Sequence, residues 1–394
     1  MAKWTSRYLL LLLGLLVANG AVAEPYLALR TGQKCSACHV NVTGGGMRTA
    51  FVSAHSRDVM KYPDWFDELT KPIESFDGVF NDYVAIGADL RANLSLIFQD
   101  NPQNGRVDNN EFFRTRLDEL NVDVNQATTY LDVSVIPDLL EVYVDLRLAP
   151  TTDAREVWGM LYLPKDFYVK VGRMFLPYGL QVQDDESFIR GGRNGSANAG
   201  FNFDLREAAF QVGWQGGPWA IAAALSDGPG SRDVRITTSG YGMFRDVPLV
   251  DSVMIGASAG RFGGSAEQFQ FAGFGGFAVG RFSYLGEVDF IDRRVVSAGD
   301  PSGQKEHHGG FIHYSEANYL FFDWLNLKVA FDYADFDGSL SDRADDSENR
   351  VSFGVEPFLA RFLQTRLFYR VSNGVKSNPG HNQSILSAEV HLFF

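Results

Sequence analysis

Leu386-Ser387-Ala388-Glu389-Val390-His391-Leu392-Phe393-Phe394 closes the chain, and its alternation decides how the rest is read. Side chains of a strand point to opposite faces with period two, so Leu386, Ala388, Val390, Leu392 and Phe394 share one face, while Ser387, Glu389 and His391 share the other. An apolar face opposite a polar one, ending in an aromatic residue, is the pattern of a strand with lipid outside and a wet lumen inside. The same period recurs upstream in Phe210-Gln211-Val212-Gly213-Trp214, Lys328-Val329-Ala330-Phe331-Asp332-Tyr333 and Leu367-Phe368-Tyr369-Arg370-Val371. From Tyr83 onward such segments, about ten residues long, alternate with turn-forming residues.

Short turns, such as Gly216-Gly217-Pro218 and Val279-Gly280, alternate with longer polar loops, such as Arg293 to Glu306 and Asp337 to Glu348. Counting back from the last strand gives an all-β transmembrane barrel of about 16 antiparallel strands, with Glu111 to Ile136 read as one long or bulged strand. An even number keeps both chain ends of the barrel on the periplasmic side. The composition agrees: 40 Gly, 32 Phe and 15 Tyr without helix-rich blocks point to a large β protein with aromatic surfaces. A terminal Phe after such an alternation resembles the recognition signal of the outer-membrane assembly machinery.

Residues 1–23 read as a secretory signal peptide. Lys3 and Arg7 precede an apolar run from Tyr8 to Ala18, and Ala21-Val22-Ala23 forms a small-x-small cleavage site before Glu24. That run is too short to span a bilayer as a helix. Removing Lys3 and Arg7 takes Lys+Arg from 35 to 33 against 48 Asp+Glu, moving the formal charge from -13 to -15. So acidic a chain is no partner for nucleic acid, whose phosphates require a basic surface. The expected address is the bacterial outer membrane.

Between signal and barrel, residues 24–75 form a small segment too short to bury much core by itself. Ser56 to Leu69 is expected to hold a helix carrying Met60, Trp65 and Leu69, closed by Pro72. The barrel then occupies residues 76–394.

The chain's two cysteines lie in that segment, in Cys35-Ser36-Ala37-Cys38-His39. This is the attachment pattern for one covalent haem c: two thiols add across the vinyl groups, and the following imidazole binds the iron as proximal ligand. Zinc would need more ligands than one C-x-x-C provides, and no thioredoxin-like βαβ context surrounds the pair. For the sixth iron position, His55 is the distal ligand expected first, with Met60 and Met47 behind it. Thr43-Gly44-Gly45-Gly46 would let backbone approach the haem closely, or would serve simply as a turn. It is no phosphate loop, since no strand precedes it and no Gly-Lys-Ser/Thr follows.

Other features carry less. His307 and His308 are adjacent in an expected outer loop and would suit a surface metal only with further ligands; His313, His381 and His391 fall in loops or strands of the barrel. The acidic stretch from Asp335 to Glu348, with Asp337, Asp342, Asp345 and Asp346, reads as a solvated outer loop, without EF-hand spacing.

Two segments resemble known families. Tyr26 to Phe51, around Lys34-Cys35-Ser36-Ala37-Cys38-His39, is similar to the haem segment of fused outer-membrane monohaem cytochrome-porins. Val169-Lys170-Val171-Gly172-Arg173 followed by Pro177-Tyr178-Gly179-Leu180 resembles a strand-to-loop segment of the phosphate-selective porin O and P family. The first resemblance implies electron transfer across the outer membrane, between a periplasmic electron carrier and an extracellular cytochrome, mineral or metal ion. The iron oxidation known in that group does not carry over, because the residues after His39 lack its aromatic-rich run. The second implies phosphate selectivity, but Gln181 to Phe203 offers Arg190 and Arg193 without a lysine cluster. The alternative is a porin-type diffusion channel with a tethered periplasmic haem serving as electron carrier or sensor. A peroxidase would need distal acid-base groups, and no compact His/Arg motif is present.

Overall fold

In the computed structural model, residues 24–49, 78–99 and 116–394 are described, with breaks at 183–186, 191–205, 229–233, 264–265, 297–304, 336–346 and 375–381; residues 51, 61–63 and 65–66 are described as well. The expected signal peptide, His55, Met60, His381, Arg193 and most of the expected 56–69 helix lie outside these residues.

A three-residue strand, β1 (Val79–Asn81), leads into β2 (Val84–Gln99), β3 (Leu117–Ile136), β4 (Leu140–Ala149), β5 (Asp153–Leu163) and β6 (Phe167–Phe175). After a long connection come β7 (Arg206–Trp214), β8 (Trp219–Ser226), β9 (Arg235–Val247), β10 (Val250–Phe262), β11 (Ala266–Val279) and β12 (Phe282–Val296). The chain ends with β13 (Lys305–Phe322), β14 (Leu325–Asp335), β15 (Glu348–Ala360), β16 (Leu363–Asn373) and β17 (Gln383–Phe393).

From β2 onward each strand pairs antiparallel with the next, and β17 returns to β2 in register from Gln383 opposite Gln99 to Phe393 opposite Asp89. The result is a closed 16-strand barrel, with β1 added beside the start of β2. Closure removes the unpaired edges that an open sheet would expose. The long strand expected up to Ile136 is β3, of 20 residues. Phe394 continues the seam, exchanging backbone hydrogen bonds with Ala88.

Facing follows the alternation. On β17, Leu386, Ala388 and Val390 are exposed on the outer face, as is Phe394 directly after it, whereas Ser387 and His391 are buried towards the lumen. On β14, Val329 and Phe331 point outward while Lys328, Ala330 and Asp332 point inward. Exposed Phe167, Trp219, Phe282, Tyr319, Phe321 and Phe322 crowd the strand ends nearest the short turns, the place of an aromatic girdle. No helix among the described residues is long and apolar enough to cross a membrane; the strands do so instead.

One expectation needs correcting. The loop read as Arg293 to Glu306 is shorter, because β12 runs to Val296 and β13 starts at Lys305, pairing His307 with Arg294 and His308 with Arg293. His307 and His308 therefore sit in a strand. Backbone pairing continues above the lipid without any need for apolar side chains, so polarity alone marks the loop too wide.

Candidate haem-attachment site in the barrel lumen

The segment from Glu24 to Thr49 lies inside the barrel. Pro25 starts helix α1 (Pro25–Thr31), where a missing N–H costs nothing, and Gly32 ends it at φ +60°. A side chain at Gly32 would also run into Arg245 on β9. Tyr26 and Leu29 are fully buried against the wall, and the Leu29 carbonyl accepts a hydrogen bond from Ser252.

Cys35–Cys38 form a single helical turn, α2, and their i, i+3 spacing turns both sulfurs to one side. His39 leaves the turn in extended conformation, its N–H bonded to the Cys35 carbonyl at 3.0 Å. The chain then doubles back: His39 bridges Arg48, Val40 donates to the Met47 carbonyl and Thr49 to the Cys38 carbonyl. Gly44, Gly45 and Gly46 make this reversal with φ of +99°, +79° and +68°, a succession that only glycine adopts without strain. The run is thus a left-handed turn, and it also permits close approach, since a Cβ at Gly46 would lie 2.5 Å from the Tyr143 hydroxyl.

Anchors to the wall surround the segment. Gln364 donates to the Glu24 carboxylate at 2.7 Å and Arg366 at 3.3 Å. Lys34 donates to the Gln215 carbonyl, and Ser36 to its side chain. The Cys35 N–H donates to the Tyr241 hydroxyl at 3.0 Å, and the Met47 N–H to the Tyr143 hydroxyl at 3.0 Å. Asn41, with no exposed surface, donates to Glu156 at 3.2 Å and accepts from Lys170 at 3.1 Å. Arg48 stacks 3.6 Å over the ring of Phe393.

Cys35, Cys38 and His39 line one pocket together with Leu27, Ala28 and Val42 of the same segment. Its far wall is built by Ala220 and Ala222 of β8, Tyr241 and Met243 of β9, Met254 of β10 and Phe274 of β11. Pro177 to Gln181, folding inward after β6, closes it from the outer side. Gly179 takes φ +54° there, and a side chain at this position would also strike Glu287. Arg190 farther along holds this connection to the wall through Glu287, at 3.1 and 3.2 Å.

The lining suits a haem. It is largely apolar, both thiols and the imidazole reach it, and His39 Nδ1 is buried without a hydrogen-bond partner among the described residues. Burial, with the Arg48 guanidinium adding to it, pushes the His39 pKa down to about 4, against the pull of the carbonyls of Gly46, Gly45 and Met47. The imidazole is therefore neutral at neutral pH, the state in which it ligates iron. Burial raises both thiols above the usual range.

On its other side the turn faces a vestibule at the periplasmic mouth. Ser36, His39, Val40 and Met47 border this space together with the short turns at Asp82, Asp138 and Asp166. Met47 borders this space and lies against Gly87, and it is not among the residues lining the apolar pocket. The remaining described histidines do not join the site: His391 contacts Asp89 at 3.2 Å in the lumen, and His313 lies beside Phe331. Arg190 is occupied by Glu287.

Sequence reading missed the pocket's far wall. One signal was available. Lumen-facing positions of such barrels are normally polar, yet Ala220, Ala222 and Ala224 follow one another on the inner face of β8, with Met243, Met254, Ala272 and Phe274 beside them.

With the geometry in hand, solved structures provide the comparison. An outer-membrane protein of Vibrio cholerae, OmpT with its loop L8 deleted, is 14% identical over 79% of this chain and 99% of its own, with a TM-score of 0.54. The outer membrane channel DcaP of Acinetobacter baumannii is 10% identical, covering 79% and 97%, with a TM-score of 0.56. The fold is that of the outer-membrane porins. An anion-selective porin from Comamonas acidovorans is similar to the same degree, at 10% identity, 79% and 99% coverage and a TM-score of 0.54. No family model matches the chain, and no curated protein does.

Proposed function

We propose that this chain is a bacterial outer-membrane protein of porin fold that carries one haem c inside its lumen and passes electrons between a periplasmic carrier and a donor or acceptor outside. The observation that carries the reading is the convergence of Cys35, Cys38 and His39 on one apolar pocket within the barrel. Cys35 and Cys38 would hold the haem as thioethers and His39 would bind its iron, and the bound group would supply one-electron transfer. Tyr241 and Asn41 fix the attachment turn to the wall, while the alanines of β8 and the roof at Pro177 to Gln181 keep water from it.

Depth decides who can exchange electrons. Met243 and Met254 lie four residues from the periplasmic ends of β9 and β10, which at ~3.3 Å per residue and a tilt of ~40° is roughly 10 Å. A periplasmic carrier seated at the mouth reaches that depth readily. The outer partner, whether an extracellular cytochrome, a mineral or a metal ion, must be met through the loops or by small reagents entering the lumen.

A second reading has its own support. The likeness to porins favours a diffusion channel more directly than it favours electron transfer, and a polar gap beside the segment is lined by Arg91, Asn93, Lys328, Arg366, Arg370, Glu316 and Glu389. In that reading the barrel passes small solutes and the haem serves as carrier or sensor. Phosphate selectivity, suggested by the resemblance around Val169 to Leu180, gains little from Arg190, which is paired with Glu287.

Proteoliposomes separate the two. An enclosed redox dye should be reduced or oxidised by an impermeant external reagent, with low ionic conductance, and deletion of residues 24–71 should reverse both properties. Free ion flow without electron transfer in the intact protein would leave the channel reading standing.

A further inference from the structure

We propose that the sixth iron ligand comes from the barrel wall, from the methionine pair Met243 and Met254. This inference rests on the haem reading above. The two residues are direct partners across β9 and β10. Both face the lumen at 5% exposure, and both line the pocket shared by Cys35, Cys38 and His39.

Several of the polar groups around the pocket are engaged elsewhere. The Tyr241 hydroxyl accepts from the Cys35 N–H, and Tyr178 donates to Asp289 at 2.9 Å. Lys34 is bound to the Gln215 carbonyl, and Glu24 to Gln364 and Arg366. The thioethers of Met243 and Met254 are the soft, iron-binding donors that the wall contributes. Met47 borders the vestibule instead.

Ordinary packing is the competing account, since methionine fills irregular cores well. Packing against Tyr26 and Leu29 of the segment would be served by leucine as well; what ligation adds is a reason for two methionines, paired across β9 and β10, on the wall of the pocket that holds Cys35, Cys38 and His39. Ligation by methionine favours reduced iron and raises the potential. It also makes the electronic state of the haem depend on docking of the segment, because His39 and the sulfur then sit on different parts of the fold.

The test uses holoprotein produced with cytochrome c maturation and purified in detergent. Wild type should be low spin in the ferric state, with the red charge-transfer absorption of methionine-ligated haem. One of the two single variants, Met243→Leu or Met254→Leu, and the double variant should abolish that absorption, shift the spectrum to high spin and lower the potential, while haem stain and heat-modifiable mobility are retained. A histidine at the ligating position should restore low spin at a lower potential, which a merely structural role would not produce. An unchanged spectrum and potential in the double leucine variant, or a high-spin shift in His55→Ala alone, would overturn the proposal while leaving covalent haem intact. Wild-type protein without covalent haem would overturn the haem reading and this proposal with it.

Discussion

The backbone N–H of Cys35 donates to the phenolic oxygen of Tyr241 at 3.0 Å, across 206 residues of sequence. This bond ties the attachment turn to β9 at the pocket's edge. Tyr241→Phe removes the acceptor and leaves the N–H unmet, at a cost of about 1–2 kcal/mol in docking of the turn. Hydrogen exchange of the Cys35 amide should accelerate about 5- to 30-fold, with barrel amides unchanged.

Asn41 is the deeper anchor, holding a buried carboxylate and a buried ammonium at once. Asn41→Ala should weaken docking of the segment by about 2 kcal/mol, because charged groups lose a buried partner. Trypsin cleavage after Lys34 and Arg48 in the folded, detergent-solubilised protein should then rise roughly 30-fold, that being the population change for such a loss. Barrel mobility on unheated gels should stay the same.

Arg190 and Glu287 are both buried and meet through two hydrogen bonds. Arg190→Ala strands the carboxylate, a change that costs about 3–5 kcal/mol in buried pairs. The inward-folded connection after β6 should leave the wall, and single-channel conductance should increase. Equal conductance in wild type and variant would mean that this connection does not narrow the lumen.

Thiol chemistry reads the state of the attachment turn. Burial raises the pKa of Cys35 and Cys38, opposed at Cys38 by Arg48. Only the thiolate reacts, so the apoprotein should alkylate slowly at pH 8 and quickly once denatured. Because the undocked chain loses these protons first, docking of the haem-free segment weakens as pH rises through the ordinary thiol range and is fully present below it. Haem-loaded protein should show no alkylation in either state, since both sulfurs are then thioethers.

The lipid face is tested at β17, where Ala388 is exposed outward and Ser387 is buried inward. Ala388→Lys should destabilise the barrel by about 2–4 kcal/mol in lipid, the range for a cation near the bilayer midplane. Ser387→Asn should change unfolding in urea by less than about 1 kcal/mol. Both are read from denaturant midpoints in vesicles.

What the sequence determined by itself is local. Period-two alternation from Leu386 to Phe394 names the two faces of a strand, and repeated along the chain it yields an even number of about sixteen strands with both ends on one side, because strand geometry needs no distant partner to be expressed. The haem reading of Cys35, Cys38 and His39 is likewise local, resting on the spacing of two cysteines within one helical turn and a histidine directly after it. The tertiary structure alone decided where that turn sits. Tyr241, Met243, Met254 and Phe274 come to share a pocket with Cys35 only after the sheet has closed into a barrel and the segment has folded into its lumen. Closure fixes which strands lie across from one another, and no short-range pattern encodes that distance. The alanines of β8 were visible as a row, but their meaning, room for a lumenal segment, appears only when the segment occupies it.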